Sequence, residues 1–208
     1  MKFEELLKVI NGEQLFKSSL LLAGDITAAS VHSQLSRWVL KNKLFQLRRG
    51  LYAVAGPYRE TEPHPFLIAN MLKKASYISL ESALEYYGII PEYVPVITSV
   101  TTGRPEEINT RLGKFKFRHL KKELFWGYIE MEIIKGTRVF IASTEKALLD
   151  LMYITPQSDN MEFIKELRLQ NTEKINTDIL KKYTDGFGTP KIHRAVHLII
   201  KIIQSNKI

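Results

Sequence analysis

The stretch LKNKLFQLRRGLYAV, Leu40 to Val54, constrains the fold of this chain more than any other feature. Apolar residues at helical spacing lead up to Leu40, and two short β-prone runs follow, LFQL and LYAV, with Gly50 as the only glycine between them. A change of period over so few residues, around one glycine, specifies a helix that feeds a tight hairpin. The turn needs the glycine, which takes positive φ without steric cost. It does not need Arg48 and Arg49, so those two arginines call for another explanation.

Upstream, FEELLKVI places Phe3, Leu6, Leu7 and Ile10 on one helical face, and Asn11-Gly12 ends that helix. Leu15 to Ala23 reads as a second, more apolar helix closed by Gly24. Thr27, after Ile26, is an N-cap for a third helix through ASVHSQLSRWVLKNK. Its inward stripe is Val31, Leu35 and Trp38 or Val39, with Leu40 as a further candidate, and sharing that stripe with Leu35 makes Trp38 a core residue rather than a base-stacking one. Ser30, His32, Ser33, Gln34, Arg37 and Lys41 are left outward. Three helices and a hairpin within residues 1–56 predict a winged helix-turn-helix.

Residues 57–64 (PYRETEPH) are polar and carry prolines, as a linker does. Two helices are expected next, PFLIANMLKKA and SLESALEYYGI. VPVITSVTT, KFKFRHL, GYIEMEII and RVFIAS then predict a small, mostly antiparallel sheet. STEKALLDLMY adds a helix capped by Ser143 or Thr144, and helices near 160–170, 176–184 and 190–205 follow, the last opening on Thr189-Pro190. The expected fold class is α+β. A winged helix-turn-helix over 1–56 precedes an α/β domain over 65–155 and a helical C-terminal extension over 156–208.

Charge sharpens the reading. Residues 1–56 hold 8 Lys/Arg against 4 Asp/Glu, 57–160 hold 13 against 13, and 161–208 hold 9 against 5. Basic ends around a neutral middle suit a polyanion-binding module joined to a part with other work. In a winged helix the third helix enters the major groove and the hairpin lies along the backbone. Candidate DNA-contacting residues are therefore Ser30, Ser33, Gln34, Arg37 and Lys41 on the helix, Lys43 at its end, and Arg48, Arg49 and Gly50 at the wing. Short polar and bidentate side chains suit base edges, and cations suit phosphates.

LRRGLYAV, then SALEYYGI (Ser82–Ile89), then STEKALLDLMY (Ser143–Tyr153) resembles the AbiEi-like antitoxins of type IV toxin–antitoxin, or abortive-infection, systems. The resemblance covers roughly residues 1–155. It implies a DNA-binding repressor that binds the operator of its own operon, an inverted repeat of double-stranded DNA, as a possible dimer. It also implies opposition to a nucleotidyltransferase-like toxin, with or without direct contact. In the second domain it singles out Ser82, Gly88, Glu145, Lys146 and Asp150. Tyr87 stands where the family commonly has a histidine before the glycine.

Other chemistries find little footing. There is no cysteine, which excludes disulfides, thiol catalysis and Cys-type zinc sites. His193 and His197 stand four apart, but the stripe Ile192, Val196, Ile199 and Ile203 turns them and Lys201 to the opposite face, and no third ligand is evident. Glu145 and Asp150 lie five apart, a poor catalytic pair, and Glu145 suits the helix dipole of a first turn. Gly186-Phe187-Gly188 is a loop. The chain is expected to be no enzyme and to need no metal or cofactor. A nucleic-acid-processing enzyme using the neutral middle is one rival reading. A ligand-responsive regulator with a pocket lined by Tyr86, Tyr87, Phe117 and Trp126 is the other. No charged segment followed by an apolar run opens the chain and no apolar run is long enough to span a bilayer, so a cytoplasmic location is expected.

Overall fold

The computed structural model describes residues 1–22 and 27–205. The protein mixes helices and strands and divides into two compact units, Met1–Leu72 with Thr110–Leu112, and Lys73–Asn109 with Gly113–Ile208. The division follows the helix that begins at Pro65, later than the polar 57–64 stretch.

In the first unit α1 (Phe3–Ile10) starts where the Lys2 amide donates to the Glu5 carboxylate at 2.8 Å, and it ends on Asn11 in the left-handed region. Strand β1 (Leu15–Lys17), a 3-10 turn (Ser18–Leu21) and α2 (Ala28–Leu40) follow, then β2 (Leu44–Arg48), β3 (Leu51–Val54) and α3 (Pro65–Leu72). The three strands form an antiparallel sheet in the order β1-β3-β2. Phe3, Leu6, Ile10, Leu35, Trp38, Leu44 and Tyr52 share one apolar cluster, with Phe3 edge-on to Trp38 at 5.3 Å.

The expected second helix, Leu15 to Ala23, is corrected: Leu15–Lys17 is a strand and Ser18–Leu21 one 3-10 turn, while Ala23, Gly24 and Ile26 lie outside the described residues. The reason is tertiary. β3 is buried at all four positions and bonds on both sides, so Leu15–Lys17 pairs with Leu51–Ala53. Leu20 and Leu22 stay about half exposed, so a helix there would have had no continuous apolar stripe to bury.

The second unit holds β4 (Ser76–Ile78), α4 (Leu80–Tyr86), β5 (Val96–Thr101), β6 (Glu106–Thr110), β7 (Gly113–His119), β8 (Tyr128–Ile134) and β9 (Thr137–Ala142), then α5 (Thr144–Ile154), α6 (Met161–Glu166), α7 (Thr177–Phe187) and α8 (Pro190–Ser205). Its six-stranded sheet runs β6-β7-β5-β4-β9-β8. The sheet is mixed rather than mostly antiparallel: β5 runs parallel to β7 and β4 parallel to β9, while β4–β5 and β8–β9 are antiparallel. Neither parallel pair is joined by a tight turn: β6 lies between β5 and β7 in the chain, and α4 and β5–β8 lie between β4 and β9, with three-residue β4 slotted between β5 and β9 in the sheet. The C-terminal helices belong to this unit: α7 and α8 pack on α5, burying Leu180, Phe187, Ile192, Val196 and Ile199. Gly186 and Phe187, expected in a loop, instead form the last turn of α7, with Gly188 as its left-handed cap. Among the described residues no helix is long and apolar enough to cross a membrane.

Candidate nucleic-acid interface and the buried cluster of the second unit

α2 begins where Thr27 Oγ1 accepts the Ser30 amide at 3.3 Å. Val31, Leu35 and Trp38, at i, i+4 and i+7, face the core, so Trp38 packs inward as its spacing predicts, whereas Leu40, at the end of the helix, is exposed and lies off that stripe. The opposite face carries Ser30, His32, Ser33, Arg37 and Lys41, all exposed. Arg37 and Lys41 stand one turn apart, and the Arg37 Nε donates to the Ser33 carbonyl at 3.3 Å. Among the described residues no carboxylate pairs with Arg37, Lys41 or Arg49.

Two residues expected on this face are used elsewhere. Gln34 is half-buried and its amide donates to the Met1 carbonyl at 2.7 Å, so it ties α2 to the chain start. Lys43 is half-buried with its ammonium 4.6 Å from the Phe3 ring centre and 5.5 Å from that of Tyr58. Such a cation–π seat holds it against the core.

The hairpin between β2 and β3 carries a register shift between Gln46 and Arg48, and Gly50 turns at φ +79°. The Gly50 carbonyl accepts the Ser18 amide at 2.9 Å, fixing the turn to the 3-10 segment. Arg48 and Arg49 are both exposed, but they differ in what they touch. Arg48 donates from a guanidinium nitrogen to the Leu72 carbonyl at 3.0 Å, satisfying an acceptor in the last turn of α3. Arg49 is the exposed guanidinium at the tip.

In the second unit, Lys146 and Asp150 form an ion pair one turn apart on α5, with both side chains wholly enclosed. Tyr77 and Ser79 flank β4's end and donate their hydroxyls to Asp150 Oδ2 at 3.0 and 2.8 Å. The rings of Phe187, Trp126 and Tyr77 surround the ammonium at 4.9, 5.1 and 5.6 Å. Burial pushes the Asp150 carboxyl above its usual range and the Lys146 ammonium below its own, with the mutual attraction opposing both. Burial and the neighbouring Asp150 raise the Tyr77 phenol. Each partner satisfies another and none reaches solvent, so the cluster pins α5 to β4. A Cβ on Gly127 would stand 3.0 Å from the Lys146 stem, so the chain passes close only because that residue is glycine.

The other motif residues also brace elements. Ser82 Oγ accepts the Thr98 amide at 2.8 Å, joining α4 to β5. Gly88, at φ +69°, closes α4, and its carbonyl accepts the Asn171 side-chain amide at 2.6 Å. Glu145 does more than favour a helix dipole. One oxygen accepts the Ser143 hydroxyl, and the other accepts the Asn176 amide at 2.9 Å where α7 begins. Tyr87 has a polar role: it donates to the Ala142 carbonyl at 2.9 Å, and burial pushes its phenol up to about 12.

The four aromatics weighed as a ligand pocket have separate uses. Phe117 is buried with the Lys73 ammonium over it, Trp126 packs on Tyr183 and Phe187, and Tyr86 lies edge-on to Tyr87. His193 and His197 lie exposed on α8, and Arg194 between them forks onto Asp159 at 2.9 and 2.6 Å.

The buried lysine–aspartate pair was invisible to sequence reasoning because charges four apart on a helix usually mark a solvated face. Its one signal is its setting, a Lys and an Asp inside EKALLDLM with apolar residues between and around them. No protein-family model matches this sequence, and no curated protein is significantly similar to it.

Proposed function

We propose that the first unit is a winged helix-turn-helix that binds double-stranded DNA, with α2 as the recognition helix and the β2–β3 hairpin as the wing. The order helix, strand, 3-10 turn, helix, strand, strand, with a β1-β3-β2 sheet, supports this reading. The observation that carries it is the exposed face of α2. Ser30, Ser33, Arg37 and Lys41 lie there, and among the described residues no carboxylate pairs with the two cations, in a unit whose hairpin tip exposes Arg49. Cations without acid partners recruit phosphates, and the short hydroxyls beside them suit base edges.

On the resemblance of the wing and the two second-unit motifs, the protein acts as the antitoxin of a type IV toxin–antitoxin pair. It represses its own operon and opposes a nucleotidyltransferase-like toxin. Glu145, Lys146, Asp150, Ser82 and Gly88 then keep the second unit folded rather than contact a ligand.

Gel shifts on the DNA upstream of its own gene test the first statement. Wild type is expected to shift that DNA ahead of a scrambled duplex, and Arg37→Ala/Arg49→Ala to lose the shift. Equal binding of both duplexes, or by both proteins, would refute it. Growth rescue on co-expression with the product of the adjoining gene tests the second, and no rescue would remove the antitoxin role.

A further inference from the structure

The six-stranded sheet ends on β8, and among the described residues no strand pairs with its outer side. An edge strand directs alternate backbone N–H and C=O groups outward, a template for another strand. This edge is also unusually apolar for an open one. Ile129 is 48% exposed, Ile134 46%, Phe140 on neighbouring β9 45% and Tyr128 36%. Tyr128–Glu132 pairs with β9 in unbroken register, and a shift follows between Glu132 and Ile134. That irregularity protects one end of the edge and leaves Tyr128–Glu132 straight.

Charge decides what fits. Ile129 and Met131 lie on one face of β8, and Glu130 and Glu132 on the other. Two copies related by a twofold axis can join β8 to β8 only in registers that set residues of one face opposite one another. Centred on Glu130 the register sets Glu130 against itself; centred on Met131 it sets Glu130 against Glu132; centred on Glu132 it sets Glu132 against itself; a register centred on Ile129 avoids this but pairs only Tyr128–Glu130 of the straight run. Like charges directly opposite destabilise a strand pair. The Arg138 guanidinium stands 3.6 Å from Glu130, and Glu132 accepts the Gly136 amide at 2.7 Å, but both carboxylates remain exposed. A pairing of the whole of Tyr128–Glu132 with its own copy therefore opposes like charges, whereas a strand of opposite charge can pair along all of it.

We propose that β8 is a docking edge for an extended basic segment of another polypeptide. That segment adds as a seventh strand, with Lys or Arg opposite Glu130 and Glu132 and apolar side chains opposite Ile129 and Met131. Main-chain bonds give the affinity and the alternating side chains give the choice of partner. The surface is independent of the proposed DNA interface.

Fluorescence anisotropy of the full chain with a labelled synthetic peptide, Gly-Ser-Val-Lys-Val-Lys-Val-Ser-Gly, tests this beside its glutamate counterpart and one with proline at the central valine. The protein's formal charge of +8 makes non-specific attraction favour the acidic peptide, so the opposite preference is diagnostic. The lysine peptide is expected to bind at least roughly tenfold more tightly than the glutamate one, the effect of two cross-strand charge pairs, and the proline peptide to fail. Glu130→Lys/Glu132→Lys is expected to reverse the preference. Hydrogen exchange on wild type with the lysine peptide, which needs no variant, is expected to slow amides within 128–133. No binding, equal binding of the two charged peptides, an unchanged preference in the variant, or protection confined to other segments would overturn the proposal.

Discussion

Replacing Lys146 by methionine keeps the length of the stem and removes the ammonium from a site with no solvent exposure. Asp150, equally enclosed, is then left with the hydroxyls of Tyr77 and Ser79 as its donors. Breaking a buried pair by removing one partner costs about 3–5 kcal/mol, because the remaining charge is uncompensated. That is a large part of the roughly 5–15 kcal/mol that holds a domain together. Asp150→Leu alone strands the ammonium and is expected to cost a similar amount. In the double variant no charge remains, and the main loss is the two orphaned hydroxyls, about 1–3 kcal/mol each. The double variant is thus expected to cost about 2–6 kcal/mol, in the range of either single one, against about 6–10 kcal/mol if the two costs added. Urea unfolding followed by tryptophan fluorescence in a Trp38→Phe background reads this, since Trp126 packs 5.1 Å from the ammonium. Additive costs, or a Lys146→Met cost under about 1 kcal/mol, would show that the pair is not the desolvated pin described.

Three further outcomes are expected. His64 is held below its ordinary pKa near 6.5 by burial, and its Nδ1 accepts the Phe66 amide at 3.2 Å as α3 begins. Because the unfolded chain binds that proton more tightly, stability of the first unit should fall as pH drops below about 6.5 and level off below the folded pKa, and His64→Gln should flatten that limb in a thermal-melt series. Gly186→Ala improves helix propensity in α7 by about 1 kcal/mol, yet its Cβ would stand 2.8 Å from the Trp126 ring, so a net loss of about 1–2 kcal/mol is expected in chemical denaturation, and a gain would contradict the contact. Tyr87→Phe removes the bond to the Ala142 carbonyl and should cost about 1 kcal/mol by the same assay, with no loss contradicting a role for the hydroxyl.

Much of the architecture was written in local signals. α1, α2 and α8 carry apolar residues at three- and four-residue spacing, and Thr27 and Ser143 cap α2 and α5 by accepting the amides their sequences offer. β2 and β3 were legible from one glycine between two β-prone runs. What failed to show depends on distant partners. Leu15–Lys17 is a strand because β3 has a free side to pair, a fact stored in Leu51–Ala53 and not in its own residues. β4 is too short to show a period, yet it sits inside the sheet and brings Tyr77 and Ser79 to Asp150. The face proposed for DNA was half legible. Helical spacing placed Ser30, Ser33, Arg37 and Lys41 outward, but the same spacing could not reveal that Gln34 bonds the Met1 carbonyl or that Lys43 sits over two aromatic rings.

The salt dependence of DNA binding tests the central claim most directly. A plot of log affinity against log salt concentration for wild type should be steep. Arg37→Ala, Lys41→Ala and Arg49→Ala should each flatten it by roughly 0.9, one phosphate contact apiece. Slopes identical to wild type in all three variants, or no binding at low salt, would contradict the assignment of α2 and the hairpin tip to a duplex.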